Sequence, residues 1–169
     1  MSLEQHRSAA GASLRFAVIT ISDTRDERTD RGGPYLVDRL IAAGHSVSSK
    51  TIVRDEPTEI TAAVRAAVGD EKVDFVLTTG GTGIAPRDVT VPTLEALFDS
   101  TIPGFGELFR WLSYQEIGSA SILSRACAGM IGGKVVVALP GSPKALRLAL
   151  DALLLPEAGH LVSESRKRA

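Results

Sequence analysis

A glycine-rich stretch, Thr79-Gly80-Gly81-Thr82-Gly83, carries the clearest chemical signal in the sequence. Glycine adopts positive-φ conformations without steric cost, so such a stretch lets the backbone approach a ligand closely. The N–H groups of a tight glycine turn can surround an anion such as a phosphate, and the threonine hydroxyl groups would add donors. The stretch matches neither the P-loop nor the dinucleotide-binding pattern. It therefore predicts either a phosphate site of another kind or a tight turn without a ligand.

Two aspartates, Asp55 and Asp88, are the candidate catalytic carboxylates. Asp55 follows a predicted strand, and Asp88 lies five residues beyond the glycine stretch. Either one alone would be typical of a helix cap or a solvated surface group. Beside a phosphate site, however, two carboxylates suit Mg²⁺, because this ion prefers oxygen ligands and often shares them with substrate phosphates. We therefore expect Asp55 and Asp88 to bind Mg²⁺.

Further small polar residues follow the other predicted strands. Ser22 and Asp23 come directly after the first apolar run, and Pro140-Gly141-Ser142-Pro143 comes after the last one. The sequence contains no Gly-x-Ser-x-Gly nucleophile motif, so covalent catalysis is unsupported. We expect these residues to contact the substrate or its phosphate groups.

Alternating strand and helix patterns must bring these residues together. Apolar runs bounded by turn residues predict strands at 16–21, 47–53, 73–78 and 134–139. Apolar residues at helical spacing predict helices that end near Gly44 and Gly69, and a long helix over 143–155. This order is typical of an α/β protein with a mostly parallel sheet and helices on both faces. Because ligands bind beyond the carboxyl ends of such strands, we expect the candidate residues to share one rim.

The composition is that of one globular domain. Of the 169 residues, 44% are hydrophobic and 23% are charged, and 19 Lys+Arg against 20 Asp+Glu give a net charge of −1. A chain of this length can bury roughly 70% of its unfolded surface. The near-zero charge disfavours nucleic-acid binding, which needs a basic surface. The single cysteine, Cys127, excludes a disulfide framework and predicts a buried free thiol.

Residues 14–162 are expected to form this domain, flanked by two tails. Residues 1–13 are small and polar, and residues 163–169 carry the basic run Arg166-Lys167-Arg168. No secretory signal is apparent, and no segment approaches the roughly 20 apolar residues that a membrane span requires. We expect a cytoplasmic protein that has no membrane partner.

The aromatic segment 105–117 predicts self-association. One stripe at helical spacing consists of Phe105, Leu108, Phe109 and Leu112. Trp111 and Tyr114 point away from that stripe. A helix with apolar groups on two faces needs two burial partners, and a second subunit is a natural one. Burial inside the monomer is the alternative.

Taken together, the motifs resemble those of the MoaB/MogA family of molybdenum cofactor biosynthesis, which is related to the G domains of gephyrin and plant Cnx proteins. The resemblance covers residues 15–161 and rests on Ile21-Ser22-Asp23, Thr79-Gly80-Gly81-Thr82-Gly83, Arg87-Asp88-Val89-Thr90, Leu123-Ser124-Arg125 and Leu139-Pro140-Gly141-Ser142-Pro143. Residues 104–118 resemble the MoaB branch more than the MogA branch. Val91 departs from the family pattern, in which proline is common at this position.

This resemblance implies a three-layer α/β/α domain that binds molybdopterin, a pterin with a dithiolene and a terminal phosphate. The implied reaction is adenylylation of that phosphate with Mg-ATP, which gives adenylyl-molybdopterin and pyrophosphate. Asp55 and Asp88 would be the essential carboxylates, the 79–83 loop would hold phosphate, and Ser124 with the 140–143 turn would line the pterin side. The resemblance also implies a homotrimer or, for the MoaB branch, a homohexamer.

Two alternatives to catalysis on molybdopterin are open. A non-catalytic molybdopterin-binding or assembly protein of the same fold would not need both aspartates. Some MoaB-type proteins lack the second one, whereas this sequence keeps Asp88. A CinA-like domain acting on other nucleotides or pterin-like compounds is the other alternative. We expect the adenylyltransferase, because both carboxylates are present and no second catalytic region follows the domain.

Overall fold

Six strands form one sheet at the centre of the computed structural model, which describes residues 13–167. The strands are β1 (Arg15–Ile21), β2 (Ser46–Val53), β3 (Phe75–Thr79), β4 (Ser100–Thr101), β5 (Cys127–Ile131) and β6 (Lys134–Leu139). Their order across the sheet is β2-β1-β3-β6-β5-β4. The first four are parallel, whereas β5 and β4 form an antiparallel edge. The mostly parallel sheet predicted from the apolar runs is confirmed.

Helices connect the strands and cover both faces of the sheet. They are α1 (Gly32–Ala42), α2 (Pro57–Gly69), α3 (Thr90–Glu95), α4 (Pro103–Ile117), α5 (Pro143–Leu148) and α6 (Leu155–Ser165). A 3₁₀ turn (Gly118–Leu123) follows α4, and a π-helical segment (Ala149–Leu154) joins α5 to α6 without a break. None of the helices within residues 13–167 has both the length and the apolar character needed to cross a membrane.

The core consists of two clusters, one on each face of the sheet. Side chains alternate along β1, so that Phe16 and Val18 join the cluster beneath α1, α4 and the C-terminal helices. Ala17 and Ile19 belong to the other cluster, together with residues of α2 and α3. Burying each large apolar side chain contributes about 1.5–3 kcal/mol, so both faces of the sheet hold their helices firmly. The result is the expected three-layer α/β/α arrangement.

The antiparallel edge was not predicted from the sequence. β4 contains only two residues, and both are exposed and polar, so no apolar pattern marks it. β5 has the small-residue sequence Cys-Ala-Gly-Met-Ile, which gives a weak strand signal. Gly132 and Gly133 link β5 to β6 and both have positive φ, at 56° and 76°. Two glycines between apolar stretches are a hairpin signal that could have revealed this edge.

The C-terminal helix extends three residues into the segment expected to be a tail. The helix α6 ends at Ser165. Its face that carries Ala158 and Val162 is buried against the core, and this packing extends the helix beyond residue 162. Arg166 forms an ion pair with Asp74, and Lys167 lies 2.6 Å from Glu164. Basic groups at a helix C-terminus are also favoured by the helix dipole. Residues 1–12 and 168–169, which make up most of the remaining expected tails, lie outside the described residues.

The predicted apolar stripe of α4 is only partly correct. Phe105 and Phe109 are buried and pack on each other with their ring centroids 6.0 Å apart. The buried face of the helix is completed by Gly106 and Ser113 and not by Leu108, which is exposed. Leu108 therefore lies on the solvent side, where Trp111 and other large apolar residues are also exposed.

Candidate functional site

A cavity of about 730 Å³ lies where the carboxyl ends of the four parallel strands meet. β2 and β3 pair with opposite edges of β1, so the order of the strands in the sheet reverses at β1, next to this cavity. Ligands bind at such a reversal in open α/β sheets. The predicted site residues that line the cavity are Ser22, Asp55, Thr79, Gly80, Gly81, Thr82, Gly83, Asp88, Ser124, Pro140, Gly141 and Ser142. Asp23 is the one predicted residue that does not line it.

The glycine loop follows β3 and has a geometry suited to an anion. Gly80 and Gly81 have φ values of 108° and 61°, which disfavour any residue with a side chain. The Gly80 N–H group donates to the Leu139 carbonyl at 3.0 Å and so joins the loop to β6. Within the described residues, the N–H groups of Gly81, Thr82 and Gly83 have no acceptor. Three consecutive unpaired N–H groups in a positive-φ turn are the donor set of an anion-binding nest.

The Asp55 carboxylate lies against this loop. Its Oδ1 atom is buried and has no hydrogen-bond partner in the described part of the chain. A Cβ atom on Gly81 would lie only 2.3 Å from that oxygen, so the carboxylate occupies the place of the missing side chain. Burial raises the pKa of Asp55 above its usual value, and the negative charges of Asp23 and Asp88 raise it further. A cation bound beside this carboxylate would favour its ionised form and so lower its pKa.

Asp88 faces the same cavity and is held by its own loop. Its Oδ2 atom accepts a hydrogen bond from the Ala85 N–H group at 3.0 Å. Arg125 donates from Nη2 to the Asp88 carbonyl at 2.6 Å, and its backbone N–H group donates to the Thr82 carbonyl at 3.2 Å. Arg125 therefore joins the glycine loop to the Asp88 loop through these two hydrogen bonds.

Asp23 contacts the protein rather than the cavity. Its Oδ1 atom accepts a hydrogen bond from the Asp55 N–H group at 3.2 Å. Hydrogen bonds from Arg87 hold the pKa of the Asp23 carboxyl below its usual value. Arg87 also pairs with Glu56 at 2.8 Å. In this structure Asp23 therefore lies outside the cavity and holds the backbone of Asp55 in place.

The donor set fits Mg²⁺ when substrate completes it. Within residues 13–167, no group of three His, Cys, Asp or Glu side chains could hold a metal ion alone. Asp55 and Asp88 both line the cavity, and the buried Oδ1 atom of Asp55 has no hydrogen-bond partner among residues 13–167. Mg²⁺ is commonly held by one or two carboxylates, with its other positions taken by water and substrate phosphates. The two aspartates beside the glycine loop match this requirement.

The remaining predicted hydroxyl groups shape the rim of the cavity. Ser22 Oγ accepts hydrogen bonds from two backbone N–H groups of the turn after β1, both at 3.2 Å. Thr79 donates to the Pro140 carbonyl at 3.1 Å, which joins the end of β3 to the turn after β6. Ser142 Oγ accepts from the Ala145 N–H group at 3.3 Å and caps α5. The positive end of the continuous C-terminal helix therefore points toward the cavity.

One wall of the cavity is apolar, and the strand-end motifs did not predict it. Phe109 and Ile117 come from α4, and Leu123 comes from the 3₁₀ turn. Ser113 and Ser121 lie between them and join the predicted Ser124. These residues lie outside the loops that follow the parallel strands, so no strand-end signal marks them.

Asp30 is a buried carboxylate in the cavity wall that was also missed. It accepts hydrogen bonds from the N–H groups of Gly32 and Gly33, at 3.0 and 3.1 Å, and so caps the start of α1. Thr20 Oγ1 donates to its other oxygen at 2.9 Å. An aspartate just before a predicted helix is an N-cap signal that could have identified it.

Comparison with known proteins identifies the family of this chain. Residues 17–160 match the family described as "Probable molybdopterin binding domain". The chain is 50% identical to Molybdenum cofactor biosynthesis protein B of Bacillus cereus, over 99% of this chain and 100% of that protein. A crystal structure of a Molybdenum cofactor biosynthesis protein B superposes with a TM-score of 0.90 at 51% identity, covering 93% of this chain and 98% of the other.

A second solved structure extends the likeness to a more distant relative. The tungsten cofactor synthesizing protein MoaB from Pyrococcus furiosus has a TM-score of 0.83 at 37% identity, covering 92% of this chain and 98% of that chain. These matches span nearly the whole chain and confirm the resemblance inferred from the motifs. The chain therefore belongs to the MoaB/MogA family of molybdenum cofactor biosynthesis proteins.

Proposed function

We propose that this protein binds molybdopterin in the strand-end cavity and adenylylates its terminal phosphate with Mg-ATP. The products are adenylyl-molybdopterin and pyrophosphate. One observation carries the proposal: Asp55 and Asp88 line a single cavity together with a glycine turn in which three N–H groups have no acceptor in the part of the chain that the structure describes. This arrangement suits a reaction that brings two phosphate groups together.

The proposed reaction needs no protein nucleophile. An oxygen of the molybdopterin phosphate bonds to the α-phosphorus of ATP, and the bond from that phosphorus to the α,β-bridging oxygen breaks, so that pyrophosphate leaves with the electron pair. The protein contributes by positioning the two anions and neutralising their charge. Mg²⁺, held by Asp55 and Asp88, would supply positive charge to the phosphate oxygens. The N–H groups of the glycine loop would donate hydrogen bonds to the same oxygens.

The apolar wall suits the pterin part of the substrate. Phe109, Ile117 and Leu123 offer a surface for the ring, and the serines beside them offer hydrogen bonds to its polar edge. The cavity volume of about 730 Å³ lies within the range typical of small-molecule sites, roughly 300–1,000 Å³.

A binding or assembly protein without catalysis is the second candidate. The Asp88 Oδ2 atom already accepts a hydrogen bond from Ala85, so one of its two oxygens serves the loop. In a binding protein, Asp88 would act only as this brace. Molybdopterin would then bind without any release of pyrophosphate.

The decisive experiment measures pyrophosphate and adenylyl-molybdopterin after mixing the protein with molybdopterin and Mg-ATP. Asp88→Asn and Asp55→Asn should each lower turnover by two or more powers of ten, equivalent to about 3 kcal/mol of transition-state stabilisation. Both variants should still bind molybdopterin. Asp38→Asn, on the exposed side of α1, is the matched control and should retain full turnover.

Two results would count against the proposal. No pyrophosphate from the wild-type protein would favour the binding protein. Turnover that survives both substitutions would show that the carboxylates have been assigned wrongly. If both serve one metal, the double variant should be little worse than either single one.

We also propose that the protein forms a homotrimer or homohexamer in the cytoplasm. Large apolar side chains are exposed on α4 and the turn after it, namely Leu108, Trp111, Tyr114, Ile117 and Ile122. An apolar surface of this kind commonly marks a protein interface. Light scattering at micromolar concentration should report a trimer or hexamer, and Trp111→Glu should shift the population toward monomer. A monomeric wild-type protein would contradict this proposal.

A further inference from the structure

We infer that Thr90 is a positioning residue for Asp55, whose carboxylate its hydroxyl group holds in the orientation that binds a divalent cation. This inference rests on the proposed function, because it concerns the same carboxylate. Thr90 is the first residue of α3 and follows the Asp88 loop in the chain. It was not among the candidate residues identified from the sequence.

The first observation is a pair of buried oxygens that lack partners. Thr90 is fully buried, and its Oγ1 atom has no hydrogen-bond partner within the described residues. Asp55 Oδ1 is in the same situation. Buried hydroxyl and carboxylate oxygens are normally paired, since desolvation without a hydrogen bond is unfavourable. Two such atoms in one site therefore call for a common explanation.

The second observation is that both oxygens face the same small space. A Cβ atom built on Gly81 would lie 2.2 Å from Thr90 Oγ1 and 2.3 Å from Asp55 Oδ1. Asp55 Oδ1 comes from the segment after β2, and Thr90 Oγ1 comes from the start of α3. Both atoms therefore lie against the Cα atom of Gly81. Only a residue without a side chain leaves room for the two together.

Chemistry assigns the roles within this pair. An ionised carboxylate only accepts hydrogen bonds, whereas a threonine hydroxyl can rotate and donate. Because both oxygens lie within 2.3 Å of the same Cβ position, we take the Thr90 O–H group to donate to Asp55 Oδ1 when the carboxylate holds a cation. The Asp55 N–H group is already held by Asp23 at 3.2 Å. Both the backbone N–H group and one acceptor site of Asp55 Oδ1 are then fixed, and the remaining acceptor sites of the carboxylate are left for a cation in the cavity that Asp55 lines.

The test compares Mn²⁺ binding by the full chain and by two Thr90 variants in the presence of ATP, whose phosphate groups complete the metal site, with protein-bound Mn²⁺ measured by equilibrium dialysis against the same Mn-ATP solution. Thr90→Val keeps the shape of the side chain and removes the hydroxyl group, so Mn²⁺ binding should weaken about tenfold or more, as for other residues that orient metal ligands. Thr90→Ser keeps the hydroxyl group and should bind Mn²⁺ within about twofold of wild type. Circular dichroism should show that both variants are folded.

Thr93→Val is the matched control, because Thr93 lies on the same helix and donates its hydroxyl hydrogen to the Val89 carbonyl at 2.7 Å. It should bind Mn²⁺ as the wild type does. Equal binding by wild type and Thr90→Val, or equally weak binding by the serine and valine variants, would overturn this inference and leave the proposed function intact. Absence of Mn²⁺ binding by the wild type would overturn it as well. Wild-type Mn²⁺ binding without pyrophosphate release would defeat only the proposed reaction.

Discussion

Arg87 donates two parallel hydrogen bonds to Asp23, from Nε to Oδ2 at 2.7 Å and from Nη2 to Oδ1 at 2.9 Å. Its Nη2 atom also lies 2.8 Å from a carboxylate oxygen of Glu56. Arg87 precedes Asp88, and Glu56 follows Asp55, so one guanidinium joins the segments that carry both candidate carboxylates. The planar fork of arginine sets the spacing of such a contact, which the single ammonium of lysine cannot do.

Arg87→Lys should therefore loosen the Asp88 loop while leaving the fold intact. Amide hydrogen exchange in residues 84–90 should become faster, because the bidentate contact that restrains this exposed loop is lost. The melting temperature should change little, since exposed ion pairs contribute little to stability. Arg147→Lys is the matched control, because Arg147 is similarly exposed and lies 3.7 Å from Glu116. Unchanged exchange in the Asp88 loop would show that the clamp does not restrain it.

Gly81→Ala should damage the site through two effects. The residue has a φ of 61°, a left-handed conformation that costs an L-residue about 1–2 kcal/mol. The added Cβ would also displace Asp55 Oδ1 and Thr90 Oγ1, which lie within 2.3 Å of its position. We expect weaker binding of ATP and a lower free energy of unfolding, measured by calorimetry and urea denaturation. Gly104→Ala, on α4, is the control, because no atom of the described residues lies within 4 Å of its Cβ position. It should change neither ATP binding nor the free energy of unfolding.

Asp55→Asn should stabilise the protein near neutral pH, although it should lower turnover by two or more powers of ten. Burial raises the pKa of Asp55 in the folded chain, so the folded chain holds this proton more tightly than the unfolded chain does. The wild type therefore loses stability as the pH rises through the folded-state pKa, and asparagine removes that loss. Thermal unfolding should show a higher melting temperature for the variant at pH 7 and a smaller difference at lower pH. A lower melting temperature at pH 7 would contradict this prediction.

Cys127 should be almost unreactive in the folded protein. Cys127 is partly rather than fully buried. This burial, together with the negative charge of Glu95, raises the pKa of its thiol to about 12, from 9.0 for a free thiol. Because only the thiolate reacts, iodoacetamide at pH 8 should alkylate the native protein roughly a thousandfold more slowly than the urea-unfolded protein. Mass spectrometry of quenched samples measures both rates. Equal rates would show that the thiol is freely accessible.

The parallel half of the fold could be predicted because its signals are local. Continuous apolar runs mark β1, β3 and β6 since these strands are covered on both faces. The antiparallel edge was missed because β4 contains two exposed polar residues and β5 is short and rich in small residues. Length and hydrophobicity carry the prediction of a strand, and neither is present there.

The order of residues along the chain places small polar residues and carboxylates after the parallel strands, which is enough to predict a shared rim. What each of these residues contacts is set by the packing of segments that lie far apart in the chain. Asp23 turns to Arg87, 64 positions away in the chain, and Asp55 Oδ1 faces Thr90 across Gly81. The apolar wall from Phe109 to Leu123 likewise reaches the cavity from helix α4 and the turn after it. Such contacts depend on how distant segments pack, because the identity of a side chain does not encode which of its possible partners will be nearby.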